Sequence, residues 1–322
     1  MNACLHGMRV RGDLRSRRTR IDWRAADAGY RACSSPELFA EEAYLSAYVF
    51  PDEFAAYLAE NGSPAGYSGP AWATAVLWDI DREELGESLQ AMRNLVAVLE
   101  ETFDVPCEAI DVFFSGRKGF HIVVPTLLWA SEPSVDFPAT CRLFAEAVAA
   151  EAKVEIDSSI YGRVHMVRAI NSVHPKTRLH KVLVPAEGLD VAGVLALAEV
   201  ARPTRPLAVT ATRCVALQEC WDTALSEVAR QREAAQAARS QDNRSGGSLT
   251  RVTMAVLRGE GLAPGSRHRL VYSAAANLAE CGAPLELTEQ LLMDVARESG
   301  LPPRDALRQI RDGHRRGWEV GE

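Results

Sequence analysis

Six consecutive residues, Val76-Leu77-Trp78-Asp79-Ile80-Asp81, constrain the fold of this chain more than any others. Apolar residues run from Ala73 to Ile80 behind the turn material Gly66-Tyr67-Ser68-Gly69-Pro70, which predicts a buried strand. A strand repeats every two residues, so Asp79 and Asp81 fall on the same face. Two like charges at the end of an apolar strand are costly to bury unless a cation neutralises them. The pair therefore either caps the following helix or holds hard divalent cations.

The surrounding pattern supplies the fold class. Leu85, Leu89, Met92, Val96, Leu99 and Phe103 lie on one helical stripe. Residues 109–114 and 120–125 read as strands joined by a short loop, and residues 138–152 as a helix. Short strands are predicted over 154–156, 164–169 and 181–184, and short helices over 37–48 and 52–60. Strands interspersed with single helices predict an α+β domain over 35–230, with helices packed on a sheet. Residues 1–34 read as a flexible basic N-terminus, in which Met8 offers an alternative start. Residues 231–250 begin as a polar helix and end in Ser-Gly-Gly-Ser, a linker signature. Beyond it, 251–322 reads as a small all-α domain with helices over 267–280, 287–298 and 303–317. Arg304, Arg308, Arg311 and Arg315 share a face of the last helix, a candidate DNA-binding surface.

Composition narrows the function. No apolar run approaches the roughly 20 residues that span a bilayer, and the Arg-rich start has no secretory h-region, so a cytoplasmic protein without a membrane partner is expected. The seven cysteines have no CxxC spacing, so no zinc site is expected and most should be buried, inert thiols. A net charge of −7 looks unsuited to a nucleic-acid enzyme. Its distribution does not: fourteen acids face two arginines over 35–104, whereas Arg163, Arg168, Lys176, Arg178 and Lys181 face only Asp157 over 157–181. Such segregation suits a cationic groove for a polyanion, or a solvated basic surface.

Two further motifs occupy these segments. Ser115-Gly116-Arg117-Lys118-Gly119-Phe120-His121 is either a polar hairpin turn or a phosphate cradle, with backbone N–H groups and two cations. It is not a Walker A loop, which argues against an ATP-driven motor. Asp157 ends a short predicted strand and could complete a metal site with Asp79 and Asp81. It precedes Arg168, Asn171, Ser172, His174 and Lys176, whose types suit a triphosphate and a sugar.

In this order, a strand-borne DxD, SGxxGxH, and a strand-ending Asp before RxxNSxHxKT, the set resembles the archaeo-eukaryotic primase superfamily. The likeness is to the small primase-polymerases of plasmids, phages and mobile elements, and covers residues 65–185. It implies a primase-polymerase core with an RRM-like mixed sheet and a helical C-terminal domain that assists initiation. It implies catalytic metal ligation by Asp79, Asp81 and Asp157, with two Mg²⁺ or Mn²⁺ ions. Ser115, Gly116, Arg117, Lys118, His121, Arg168, Asn171, Ser172, His174 and Lys176 would bind the nucleotide. The implied partners are a single-stranded DNA template, NTPs or dNTPs, and a separate replicative helicase, since the chain carries no helicase motif. A gap-filling or end-joining polymerase, an origin-binding plasmid or phage initiator, and a metal-dependent nuclease are the rival readings.

Overall fold

The computed structural model describes residues 6–129, 132–207, 213–244, 248–263 and 265–321. The chain separates into two units, 1–230 and 231–322. From His6 onward the N-terminal segment expected to be flexible is instead structured. Strand β1 (His6–Arg11) pairs antiparallel with β2 (Thr19–Asp22), and helix α1 (Trp23–Arg31) follows directly, capped by the Asp22 carboxylate accepting from Ala25 N–H. Met8 and Val10 bury their side chains, while the intervening arginines hide the alternation from a reading by composition. A second difference follows. Helix α2 stops after one turn (Pro36–Phe39), and Ala43–Ser46 is a strand, β3, where a helix to residue 48 was predicted. β3 is central in its sheet and all four of its residues are buried, so it shows no alternation to mark it as a strand. Helix α3 (Asp52–Asn61) closes this region and ends at Gly62 in a left-handed conformation.

The second sheet is built from β4 (Ala75–Asp81), β5 (Asp111–Phe114), β6 (Gly119–Pro125) and β8 (Val182–Val184). Between them lie α4 (Leu85–Glu101), α5 (Phe137–Glu151) and β7 (Met166–Arg168). The strand order is β4-β6-β5-β8 in this sheet and β2-β1-β3-β7 in the other, with every pairing antiparallel. The protein is therefore α+β with two antiparallel sheets. Residues 154–156 form no strand; they run beside the β4 edge, where Asp157 N–H donates to Asp79 O at 2.9 Å.

Period-two alternation gives the second sheet two unlike faces. Val76, Trp78 and Ile80 with Phe114, Phe120 and Ile122 face the main core, which α4 fills with Met92, Leu95 and Leu99 and α5 with Phe144 and Val148. The fully buried Trp78 directs its indole N–H to Ala145 O at 3.0 Å, satisfying the one polar atom it takes into the core. The opposite face carries Ala75, Leu77, Phe113, Val123 and Leu183 and, further along β4, Asp79 and Asp81.

Helices α6 (Val191–Ala198) and α7 (Val215–Arg244) complete this part of the chain, and Trp221 of α7 packs edge-on to Phe144. α7 continues as helix through most of the predicted linker; Ser245, Gly246 and Gly247 lie outside the described residues. The second unit is helical: α8 (Arg251–Leu257), α9 (Arg267–Glu280), α10 (Leu285–Glu298) and α11 (Pro303–Gly321). Its core is Val271, Ala274 and Leu278 against Leu292, Ala296, Ala306 and Ile310. Among the described residues no helix is long and apolar enough to cross a membrane. Among the described residues the cysteines differ from the expectation of burial: Cys141 and Cys214 are buried, Cys33, Cys220 and Cys281 are half-buried, and Cys107 is exposed, while Cys4 lies outside the described residues.

Candidate active site

The register of the second sheet assembles the site. Asp79 pairs with His121 and Asp81 with Gly119 across the β4–β6 ladder, and directly opposed residues share a face. His121 Nε2 consequently stands 3.6 Å from Asp79 Oδ1, and Lys118 Nζ 3.5 Å from Asp81 Oδ2. Position 119 requires glycine, because a Cβ there would lie 2.6 Å from Ile80 O. Gly116 has φ +95°, and its Cβ would meet Leu179 O at 3.0 Å, so the 115–119 loop lies directly on the 174–180 segment. Thr177 Oγ1 donates to Gly116 O and fastens the two loops together.

Asp157 reaches the same place by another route. Its backbone is tied to Asp79, and its carboxylate caps the short 3-10 turn Ser158–Tyr161 by accepting from Ser159 N–H at 2.8 Å. Burial, then repulsion from Asp157 and Asp81, pushes the Asp79 carboxyl up to about 7, against a smaller opposing pull from Lys181. A carboxylate in that condition favours a nearby cation. Three aspartates supply the hard oxygen donors that Mg²⁺ and Mn²⁺ prefer, so the donor chemistry fits such ions. In this conformation no three such side chains among the described residues are gathered around a common point. Asp81 leans on Lys118, and Asp157 on its cap.

Two of the carboxylates, with the cations, line one pocket of about 220 Å³; Asp157 is not among the lining residues. Asp79, Asp81, Ser115, Arg117, Lys118, His121, Arg168 and His174 all contribute to it. Both candidate histidines are neutral. Burial and then the neighbouring Lys181, Arg168 and His165 hold the His121 imidazole well below its ordinary range, and its buried Nδ1 has no hydrogen-bond partner. His174 is lowered to about 4 by burial and then by Arg168, Arg117 and Lys176. His174 Nδ1 accepts from Lys176 N–H at 3.2 Å, so its proton sits on Nε2. Arg168 donates to Val173 O and to the Tyr44 hydroxyl and lies over the Tyr44 ring, which fixes its guanidinium.

Other residues in the motif stand elsewhere. Asn171 and Ser172 are fully buried and do not face the pocket. Asn171 adopts φ +65°, donates to Tyr30 O and accepts from Arg202 N–H, while Ser172 donates to Ala43 O and Ala169 O. They shape the loop behind the site, a correction to the nucleotide contacts expected of them. Lys176 sits on an exposed turn. The arginines of α11 belong to the second unit, where Arg308 pairs with Asp305, Arg311 with Glu289 and Arg315 with Asp312; Arg304 is exposed.

Two further residues were not assigned to the site from the sequence, where Lys181 is only one cation of the basic stretch. His165 lines the pocket, and burial lowers its imidazole. Lys181 is 3% exposed, donates from Nζ to Arg168 O at 2.9 Å, and lies 5.4 Å from the Phe113 ring centroid. Burial lowers its ammonium to about 7, with Asp79 opposing. The signal was present: a lysine directly before the apolar Val182–Val184 strand is a charge at the threshold of a core.

No family model and no curated protein matches this chain. Among solved structures it is similar to a crystal structure of primase RepB′, at 12% identity and a TM-score of 0.40, covering 98% of this chain and 93% of that one. It is also similar to the polymerase domain of Mycobacterium tuberculosis Ligase D in complex with DNA, at 19% identity and a TM-score of 0.32, covering 69% and 70% of the two chains.

Proposed function

We propose that this chain is a metal-dependent nucleotidyltransferase of the primase-polymerase type, which makes or extends primers on single-stranded DNA from NTPs or dNTPs. The observation that carries the reading is one pocket in which carboxylates and cations stand side by side. Asp79 and Asp81, with Asp157 beside Asp79, form its anionic edge; His121 lies next to Asp79 on the same sheet face, Lys118 lies against Asp81, and Arg117, Arg168 and His174 complete the lining. A hydrolase of neutral substrates has no use for those cations, whereas a nucleoside triphosphate carries its charge there. Arg117 and Arg168 offset the phosphate oxygens, and the pre-fixed Arg168 fork loses little freedom in doing so. The neutral His174 donates from Nε2, and Ser115 with the backbone of the 115–119 loop supplies further hydrogen bonds. Held this way, the α-phosphate would lie beside Asp79 and Asp81. Two Mg²⁺ or Mn²⁺ ions on Asp79, Asp81 and Asp157 would supply activation of a 3′-hydroxyl and charge neutralisation at pyrophosphate.

The test is synthesis on single-stranded DNA with labelled nucleotides and either metal, beside Asp79→Ala. Products formed without a primer and lost in the variant support a primase; extension only from a supplied primer supports the gap-filling polymerase. Synthesis retained by a folded Asp79→Ala protein ends the proposal.

A further inference from the structure

The candidate pocket adjoins a larger space that the reaction above does not use. A cavity of about 740 Å³ lies between the facing sides of the two sheets, and Leu77, Ile160, Val167 and Arg168 line both it and the pocket. Its walls are apolar and aromatic, with Trp23, Trp72, Tyr48 and Phe113 among them, and small residues on the sheet faces (Ala47, Ala75, Ala169) leave a slot. Its size falls within the roughly 300–1,000 Å³ range of small-molecule sites.

Among the polar groups that line the slot, Thr204 Oγ1 is buried with no partner among the described residues, and two of the arginines are committed. Arg31 is tied to Asp27, Asp111 and Arg205 O, and Arg168 to Val173 O and Tyr44. Lys181 is different. An ammonium has three N–H donors, and among the described residues its one hydrogen bond is to Arg168 O. A nearly buried group with donors to spare, lining an apolar slot beside a phosphate-like pocket, calls for a flat ligand with an acceptor on its edge.

We propose that this cavity takes the base of the nucleotide whose phosphates lie in the adjoining pocket, and that Lys181 Nζ donates to purine N3 or pyrimidine O2. The proposal rests on the nucleotidyltransferase reading. Those two atoms are the acceptors that all four bases share on the minor-groove edge. A template-directed enzyme must accept every base while checking its placement, and a single donor to a shared acceptor does that without reading sequence. The aromatic and aliphatic walls exclude water and strengthen that hydrogen bond.

The experiment measures binding to the full chain, with Mg²⁺, of ATP and dATP, their 3-deaza counterparts and inorganic tripolyphosphate. Wild type and Lys181→Met are compared. The wild type is expected to bind the 3-deaza nucleotides about tenfold more weakly than the parents, the scale of one hydrogen bond to a charged group. Lys181→Met should bind parent and 3-deaza forms alike, at the weaker level, and bind tripolyphosphate as the wild type does. Equal affinity of wild type for parent and 3-deaza nucleotides, with tripolyphosphate still bound, overturns the assignment of the cavity alone. Absence of binding by any of the probes overturns the nucleotidyltransferase reading and this inference with it. The 3-deaza comparison is made on wild type, so it stands even if the variant does not fold.

Discussion

Lys181→Met should stabilise the protein, most strongly near neutral pH. The lysine is 3% exposed, and its ammonium is lowered from 10.5 to about 7 in the fold. Between those values the unfolded chain holds a proton that the folded chain has released, so wild-type stability rises with pH across the window from about 7 to about 10.5. At and below pH 7 the folded protein bears the full cost of a buried ammonium. Three and a half pH units correspond to an upper bound of about 5 kcal/mol. Methionine removes that cost, fills a similar volume, and forgoes the hydrogen bond to Arg168 O, worth about 1.5–3 kcal/mol. A net gain of about 2 kcal/mol remains, which for a unit of this size raises Tm by about 4–8 °C. Scanning calorimetry or fluorescence melting with chelator, from pH 6.5 to pH 10, reads the offset between variant and wild type. It should be largest at the acid end and shrink toward pH 10, as the pH nears the 10.5 at which the unfolded-state lysine also loses its proton. A variant that melts below wild type at pH 7, or an offset that does not change with pH, would refute the argument that Lys181 is a desolvated cation.

Trp78→Ala removes a fully buried indole and its hydrogen bond to Ala145 O, so urea denaturation should show a loss of about 3–5 kcal/mol. Asn171→Ala should cost about 2–4 kcal/mol, because it removes the acceptor of Arg202 N–H and one of the donors to Tyr30 O and leaves alanine at φ +65°, yet leave nucleotide affinity intact at temperatures where the variant is folded. Weakened nucleotide affinity in folded protein would restore Asn171 to the binding set. Gly119→Ala places a Cβ 2.6 Å from Ile80 O, so it should displace Asp81 and Lys118 together, and nucleotide transfer should fall at least tenfold while circular dichroism stays near wild type. Arg311→Ala breaks an exposed pair with Glu289 and should change stability by less than about 1 kcal/mol; if α11 holds DNA, the same change lowers single-stranded DNA affinity and the salt slope.

Those effects divide along the line between what local pattern encodes and what tertiary contact decides. The β4 strand, the α4 stripe and the β5–β6 pair were readable because each shows its period within a dozen residues. Asp79, Asp81 and His121 followed, since pairing register converts adjacency in pattern into adjacency in space. The β1 strand was unreadable because arginines flank its two inward residues, and β3 because burial on both sides erases alternation. Asn171 and Ser172 looked like ligand contacts because their side chains are polar; only the positions of Tyr30 O, Arg202 N and Ala43 O, more than twenty residues away in sequence, show those groups satisfied. Lys181 is the converse case. In the sequence it is one cation in a basic stretch, and its significance comes from a cavity built by α1, both sheets and the 204–207 segment. Residue type marks which groups can do chemistry, whereas the count of hydrogen bonds each has already made marks which ones remain to do it, and that count exists only in the folded chain.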